Sequence, residues 1–235
     1  MIQTLTYNDL TFEIRPSSRR RTLEIIVDRD GSLVLATPPD VPQDALEQFI
    51  EDNLLWLYTK LAEKERQARP SVPRQYVTGE GFYYLGRSYR LKIVNAAATS
   101  RQPPLRLYRS RFEIRHDVIP HAPEHFVHWY TLHLRPILDR QLTALTDRIG
   151  AAPRQVHIQD LGYRWASANR RRHLYFHWRV AMLPYPMIEY LVAHELVHLL
   201  ERYHTPSFWE RLTRVIPDYA GRRQWLADEG GKYDL

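Results

Sequence analysis

Residues 183–212 read LPYPMIEYLVAHELVHLLERYHTPSFWERL, and this stretch decides how the rest of the chain is understood. Between Met187 and Leu200 the polar residues are Glu189, His194, Glu195 and His198. A segment this apolar on every side predicts a helix buried over most of its surface. Placing two imidazoles and a carboxylate there without partners would cost roughly 2–7 kcal/mol per group. The spacing supplies a partner. At 3.6 residues per turn His194 and His198 stack on one face and can address a single ion. Glu195 lies about 100° further round, where it reaches a water beside the ion more easily than the ion itself. This is the H-E-x-x-H pattern, His194-Glu195-Leu196-Val197-His198, with imidazoles for Zn²⁺ and a carboxylate as general base.

A third ligand is expected at His204. In an uninterrupted helix it would lie about 9 Å along the axis from His198. Pro206, however, pushes Thr205 out of the α region, and Thr205-Pro206 reads as the cap and first-turn proline of a new helix. His204 then falls in a short connection able to fold back under His198. Glu210 and Asp218 are the alternative third ligands, and two hydrogen-bonded core histidines plus a loop histidine is the ordinary reading without metal.

Composition narrows the rest. The 235 residues suffice for one large domain or two small ones. A hydrophobic fraction of 44% with 26% charged residues is that of a soluble globular protein. The chain has no cysteine, so disulfides and thiolate metal sites are excluded. The net charge of +6 is almost wholly arginine, since Lys60, Lys64, Lys92 and Lys232 are the only lysines. That balance admits an acidic partner or nucleic acid without requiring either. The N-terminus has no apolar signal-peptide core, and no run approaches the ~20 apolar residues of a membrane span. The expectation is a cytoplasmic protein.

Along the chain, residues 2–37 alternate as strands, with Asp30-Gly31 turning one hairpin. A helix is expected from Gln43 to Gln67, with Leu46, Phe49, Ile50, Leu54, Leu57 and Leu61 on one side. Arg69–Pro73 reads as a linker. Strands follow at 81–85, 88–94, 105–108 and 112–114, and Pro123 opens a long helix to about Arg148. His121, His125 and His128 share one end of that helix, but no carboxylate stands where a general base would be needed. Val156–Ile158 and a hairpin of 162–167 with 174–180, turned at Asn169–Arg172, lead into the apolar helix. A last helix opens at Pro217-Asp218, and a frayed Gly-rich tail is expected after it. No internal repeat is evident. The predicted organisation is α+β: a region of hairpins and helix over 1–116, then a catalytic region over 117–235 in which the H-E-x-x-H helix packs on a small sheet.

Five segments together resemble a known family: Arg19–Ile25 with Asp30-Gly31, Tyr84-Leu85-Gly86-Arg87-Ser88-Tyr89-Arg90-Leu91, Arg164-Trp165-Ala166-Ser167, His194–His198, and His204-Thr205-Pro206-Ser207-Phe208-Trp209. The chain is similar over nearly its whole length to the YgjP-like metallopeptidases, zincins related to the SprT and WLM groups. Ala166, Ala168 and Tyr203 stand where that family commonly has glycine, cysteine and asparagine. The resemblance implies a zincin-like catalytic part and a zinc-dependent peptidase, with His194, His198 and His204 on the metal and Glu195 as base.

An extended peptide substrate is expected to add to the strand at 164–167, with Arg164 and Trp165 in the groove wall. An ion pair of Arg164 with Glu189 or Asp160 is its structural alternative. Two further functions stay open. One is a zinc hydrolase of another bond, such as a nucleoside triphosphate pyrophosphatase. The other is a module with structural zinc that binds nucleic acid or protein. Sequence leaves the oligomeric state open.

Overall fold

The computed structural model describes residues 3–8, 10–28, 32–67, 74–95, 102–162 and 164–235. The chain divides into two compact units, Met1–Ser71 and Val72–Leu235. The Asp30-Gly31 turn and the Arg69–Pro73 linker read from sequence lie outside the described residues.

The first unit contains β1 (Gln3–Tyr7), β2 (Leu10–Pro16), β3 (Glu24–Val27), β4 (Leu33–Thr37) and helix α1 (Gln43–Gln67). The sheet order is β1-β2-β4-β3, with β2 and β4 parallel in the centre and antiparallel partners outside. Leu46, Ile50 and Leu57 of α1 share a core with Phe12, Leu33 and Leu35, as the helical spacing of those residues requires.

The second unit opens with β5 (Gly81–Tyr84), β6 (Arg87–Val94), β7 (Leu105–Tyr108) and β8 (Arg111–Arg115), followed by α2 (Ala122–Ile149). Its order is β5-β6-β8-β7, again with a parallel central pair, β6 and β8. The ββββα topology of the first unit therefore recurs, a repeat that sequence did not reveal because no residue pattern accompanies it. The strands of 81–115, grouped from sequence with the N-terminal region, bury Phe82, Leu91 and Phe112 in one core with Phe126, Tyr130 and Leu134 of α2. Pro123 sits in the first turn of α2, and Gly150 closes the helix in the left-handed region at φ 75°.

A small sheet comes next: β9 (Gln155–Gln159), β10 (Ala166–Ala168) and β11 (His173–His177), in the order β10-β11-β9. Asn169 builds the β10–β11 turn, its Oδ1 accepting from the backbone N–H groups of Arg171 and His173. Both strands are shorter than the alternation suggested. Trp178–Met182 is a 3-10 turn, because His177 Nδ1 accepts from Arg179 N and caps the chain there. Then follow α3 (Tyr185–His198), α4 (Pro206–Val215) and α5 (Tyr219–Glu229). The tail is not frayed: Tyr233 is buried against Tyr83 and Trp225, at ring separations of 4.8 and 5.8 Å. The α+β class expected from sequence is the observed one.

Helix α3 is buried on nearly every side, through Ile188, Leu191, Val192, Leu196 and Val197 among others. Each such aliphatic side chain contributes about 1.5–3 kcal/mol relative to exposure, which offsets the polar groups buried with them. Its start is fixed by the β5–β6 turn. Leu85 N and Gly86 N donate to Ala181 O (2.9 Å) and Met182 O (2.8 Å), and Gly86 lies against Pro184. Gly86 has φ +80°, and a Cβ there would stand 2.9 Å from Pro184 Cγ and 3.1 Å from its Cα. Gly86→Ala combines left-handed strain with overpacking, and should cost about 2–4 kcal/mol of stability. An unchanged urea midpoint would show that this contact does not seat α3.

Candidate metal centre

The apolar core carries α3 as far as His198, and there the helix stops. Leu200 N and Glu201 N both donate to Val197 O (2.9 Å each), tightening the last turn. The connection 199–205 then reverses toward α4, whose first turn is capped by Thr205 Oγ1 accepting from Phe208 N (3.4 Å). Glu201 ties this loop to α4: its Oε1 accepts from Ser207 Oγ (3.0 Å) and Arg211 Nε (3.2 Å). His204 is thereby returned to the face of α3 that carries His194 and His198.

The three imidazoles converge. His194 Nε2 lies 3.1 Å from His198 Nε2 and 3.0 Å from His204 Nε2. Phe208, fully buried, is the common floor, with ring separations of 4.9, 4.6 and 4.7 Å to His194, His198 and His204. Trp209 stacks on His204 at 5.2 Å and 19°, and Tyr219 stacks on Trp209 at 5.1 Å. His198 Nδ1 is 3.1 Å from Glu201 O, which fixes a proton on Nδ1 and leaves Nε2 as a lone pair. Burial holds all three below the usual imidazole range, and the neighbouring rings add to this at His194, pushed down to about 3. They are neutral donors at neutral pH.

Ring nitrogens 3.0–3.1 Å apart either share a proton or, with their lone pairs turned inward, call for a cation between them. A four-coordinate ion with Zn–N bonds of about 2.0–2.1 Å sets its donors roughly 3.3–3.4 Å apart, close to what is seen. The donor set fits such an ion. Among the described residues, these three form the one His, Cys, Asp or Glu cluster with metal-ligand spacing. The other ligand candidates are drawn elsewhere. Glu210 is exposed beside Trp209 and Thr213 on α4, and Asp218 pairs with Arg222 at 2.9 Å.

Glu195 is 5% exposed on α3, and burial raises its carboxyl to about 8, with the Arg164 charge pulling the other way. It lines both of the cavities that meet at the imidazoles. The larger, about 690 Å³, runs along β10 and the Asn169–Arg172 turn. The smaller, about 310 Å³, is walled by Trp165, Tyr190 and Arg223. Arg164 lines both cavities, and Trp165 only the second. Glu189 pairs with Arg222 (2.6 Å), and Asp160 lies 3.3 Å from His177 Nε2. Sequence reasoning missed Phe208, the Glu201 carbonyl and Arg223. The run His204–Trp209 held the signal for the first, since an aromatic pair opening a helix after a proline turn packs on what precedes it.

A family model for the YgjP-like metallopeptidase domain matches residues 21–229. The chain belongs to the YgjP-like metallopeptidase family. The matched span of the YgjP-like domain takes in α3, the His204 turn and both cavities. The chain is also similar to a solved structure described as the crystal structure of the metallopeptidase zymogen of Pyrococcus abyssi abylysin. Identity is 23%, over 40% of this chain and 95% of that one, with a TM-score of 0.36. No curated protein matches.

Behind the groove wall of the YgjP-like domain, His177 N donates to Trp165 O (2.8 Å), extending the β10–β11 pairing. The His177 ring is fully buried, and burial lowers its pKa against the opposing pull of Asp160. A histidine depressed in the folded state binds its proton more readily when unfolded. Its contribution to stability is therefore complete above about pH 6.5 and is lost as pH falls toward the folded value. Urea midpoints measured from pH 7.5 downward should fall less steeply for His177→Gln than for the parent. Parallel curves would refute this account of His177.

Proposed function

We propose that this metallopeptidase is zinc-dependent and hydrolyses peptide bonds with Glu195 as its general base. The observation that carries the reading is the convergence of three neutral Nε2 atoms beside a buried carboxylate, at the meeting of two open cavities. His194, His198 and His204 would hold Zn²⁺. When bound there, the ion supplies Lewis-acid polarisation of the scissile carbonyl and acidifies water in the site.

The chain's own groups do the rest. Glu195 takes the proton of the attacking water and returns it to the leaving amine. Burial suits the carboxyl to both proton transfers, because the neutral carboxylic acid is tolerated while a nearby cation together with Arg164 favours the ionised form. β10 is an edge strand whose residues line the larger cavity, so an extended substrate backbone can add to it. Arg164 and Trp165 flank that position at the β10 N-terminal end. No helix among the described residues is long and apolar enough to cross a membrane, and action on cytoplasmic peptides or proteins is the proposed setting.

The open cavities support catalytic zinc over a closed structural site, since structural zinc is ringed by four protein ligands. An edge strand pairs with a polypeptide backbone, which favours peptide over phosphoanhydride hydrolysis.

Glu195→Gln should lower kcat on an unfolded protein substrate by about 10²–10⁴-fold with zinc content intact. Retained activity would remove Glu195 from the reaction. His204→Ala should weaken zinc affinity by more than about 100-fold, beyond the about 10–100-fold typical of outer-shell changes. Equal affinity in a competition with a chelator would eliminate His204 as a ligand. Turnover of nucleoside triphosphate instead of peptide, abolished by chelator, would replace the peptidase reading.

A further inference from the structure

Apart from the influence of Arg164 on Glu195, the two cavities share a charge pattern that the proton transfers do not use. Arg164, Arg170, Arg172, Arg202 and Arg223 line them, and among the described residues Glu195 is the one carboxylate doing so. The acidic residues of the neighbouring segments are committed elsewhere: Glu189 and Asp218 to Arg222, and Glu201 to Ser207 and Arg211. Arg172, Arg202 and Arg223 are instead steadied by neutral partners. Arg172 donates twice to Ala152 O, at 3.2 and 2.9 Å. Arg202 lies 5.2 Å over the Tyr203 ring, and Arg223 lies 5.3 Å over Trp209. A carbonyl or an aromatic face holds a guanidinium without cancelling its charge. No ion pair among the described residues joins Arg170, Arg172, Arg202 or Arg223 to a carboxylate.

The arrangement is also spread along one line. Arg170 and Arg172 belong to the turn at the C-terminal end of β10, and Arg223 lines the smaller cavity beside Trp165, just before the N-terminal end of that strand. A strand added to β10 would therefore meet positive charge on either side of the reacting carbonyl. Walled clefts of one sign concentrate ligands of the other. Guanidinium groups pair with carboxylates in a two-pronged geometry that lysine cannot reproduce.

We propose, building on the peptidase reading, that the preferred substrate is an acidic polypeptide segment carrying Asp or Glu on both sides of the cleaved bond. Polypeptide is favoured over single-stranded nucleic acid for two reasons. The edge of β10 completes a ladder only with a peptide backbone. The larger cavity, moreover, has no Phe, Tyr or Trp among its described lining residues on which bases could stack.

The test uses zinc-supplemented full-length protein and short labelled peptides alike except for Glu, Gln or Lys at the positions flanking one neutral bond. The Glu peptide should show kcat/KM about tenfold above the Gln peptide, with the Lys peptide lower still. That preference should shrink as ionic strength rises from about 0.05 M to about 0.5 M. Arg170→Gln combined with Arg172→Gln should lower the Glu-to-Gln ratio, chiefly for the position that faces the β10–β11 turn. Fluorescence anisotropy on Glu195→Gln gives a readout free of turnover, in which the Glu peptide should bind about tenfold more tightly than the Gln peptide. Equal cleavage of Gln and Glu peptides overturns the charge preference and leaves the peptidase reading standing. Cleavage of none of them overturns both. Tighter binding of a single-stranded oligonucleotide of matched charge to Glu195→Gln, displacing the Glu peptide, also overturns the proposal and makes the groove a nucleic-acid surface.

Discussion

Everything around the candidate site answers one constraint: three imidazoles must meet at a point, although their residues cannot meet on one helix. Two of them come at no extra cost, because successive turns of α3 place His194 and His198 side by side. The third requires the chain to break and return. The break is made where Leu200 N and Glu201 N close on Val197 O, the return by the Glu201 links to Ser207 and Arg211, and the floor by Phe208 beneath all three rings. Rigid packing is what holds the ring nitrogens of His198 and His204 3.0–3.1 Å from that of His194.

Burial sets the electrostatics of the same site. The surroundings that keep the imidazoles neutral also resist ionisation of Glu195, so imidazoles and carboxyl are tuned by one cause, exclusion of water. Only on the cavity side does charge return, and there, Glu195 apart, it is all arginine among the described residues. The site thus has an apolar back, from α2 and the buried face of α3, and a cationic front along β10. Function and stability draw on opposite sides of one helix.

Much of this could be read from the chain alone, for identifiable reasons. Helix α1 shows its buried side through Leu46, Ile50 and Leu57, and the H-E-x-x-H spacing states its geometry outright. His204 was legible because Thr205-Pro206 forbids helical continuation. The recurring ββββα topology was not, since parallel pairing of β2 with β4 and of β6 with β8 links strands distant in sequence and leaves no local periodicity. Nor did composition reveal that Tyr233 would anchor a tail rich in glycine, because that depends on a ring-sized gap between Tyr83 and Trp225. The charge pattern of the groove was hidden in the same way. Its arginines come from four separate segments, and only folding brings them to one wall.

The contact of Gly86 with Pro184 carries a wider implication. An α-helix is stiff along its axis, so a displacement imposed where α3 begins is passed undamped to His194, about 15 Å further on. A tight turn in a distant sheet thus acts as the datum from which the imidazoles are measured. Loops bordering the groove can lengthen or vary without moving that reference, whereas the β5–β6 turn has no such latitude.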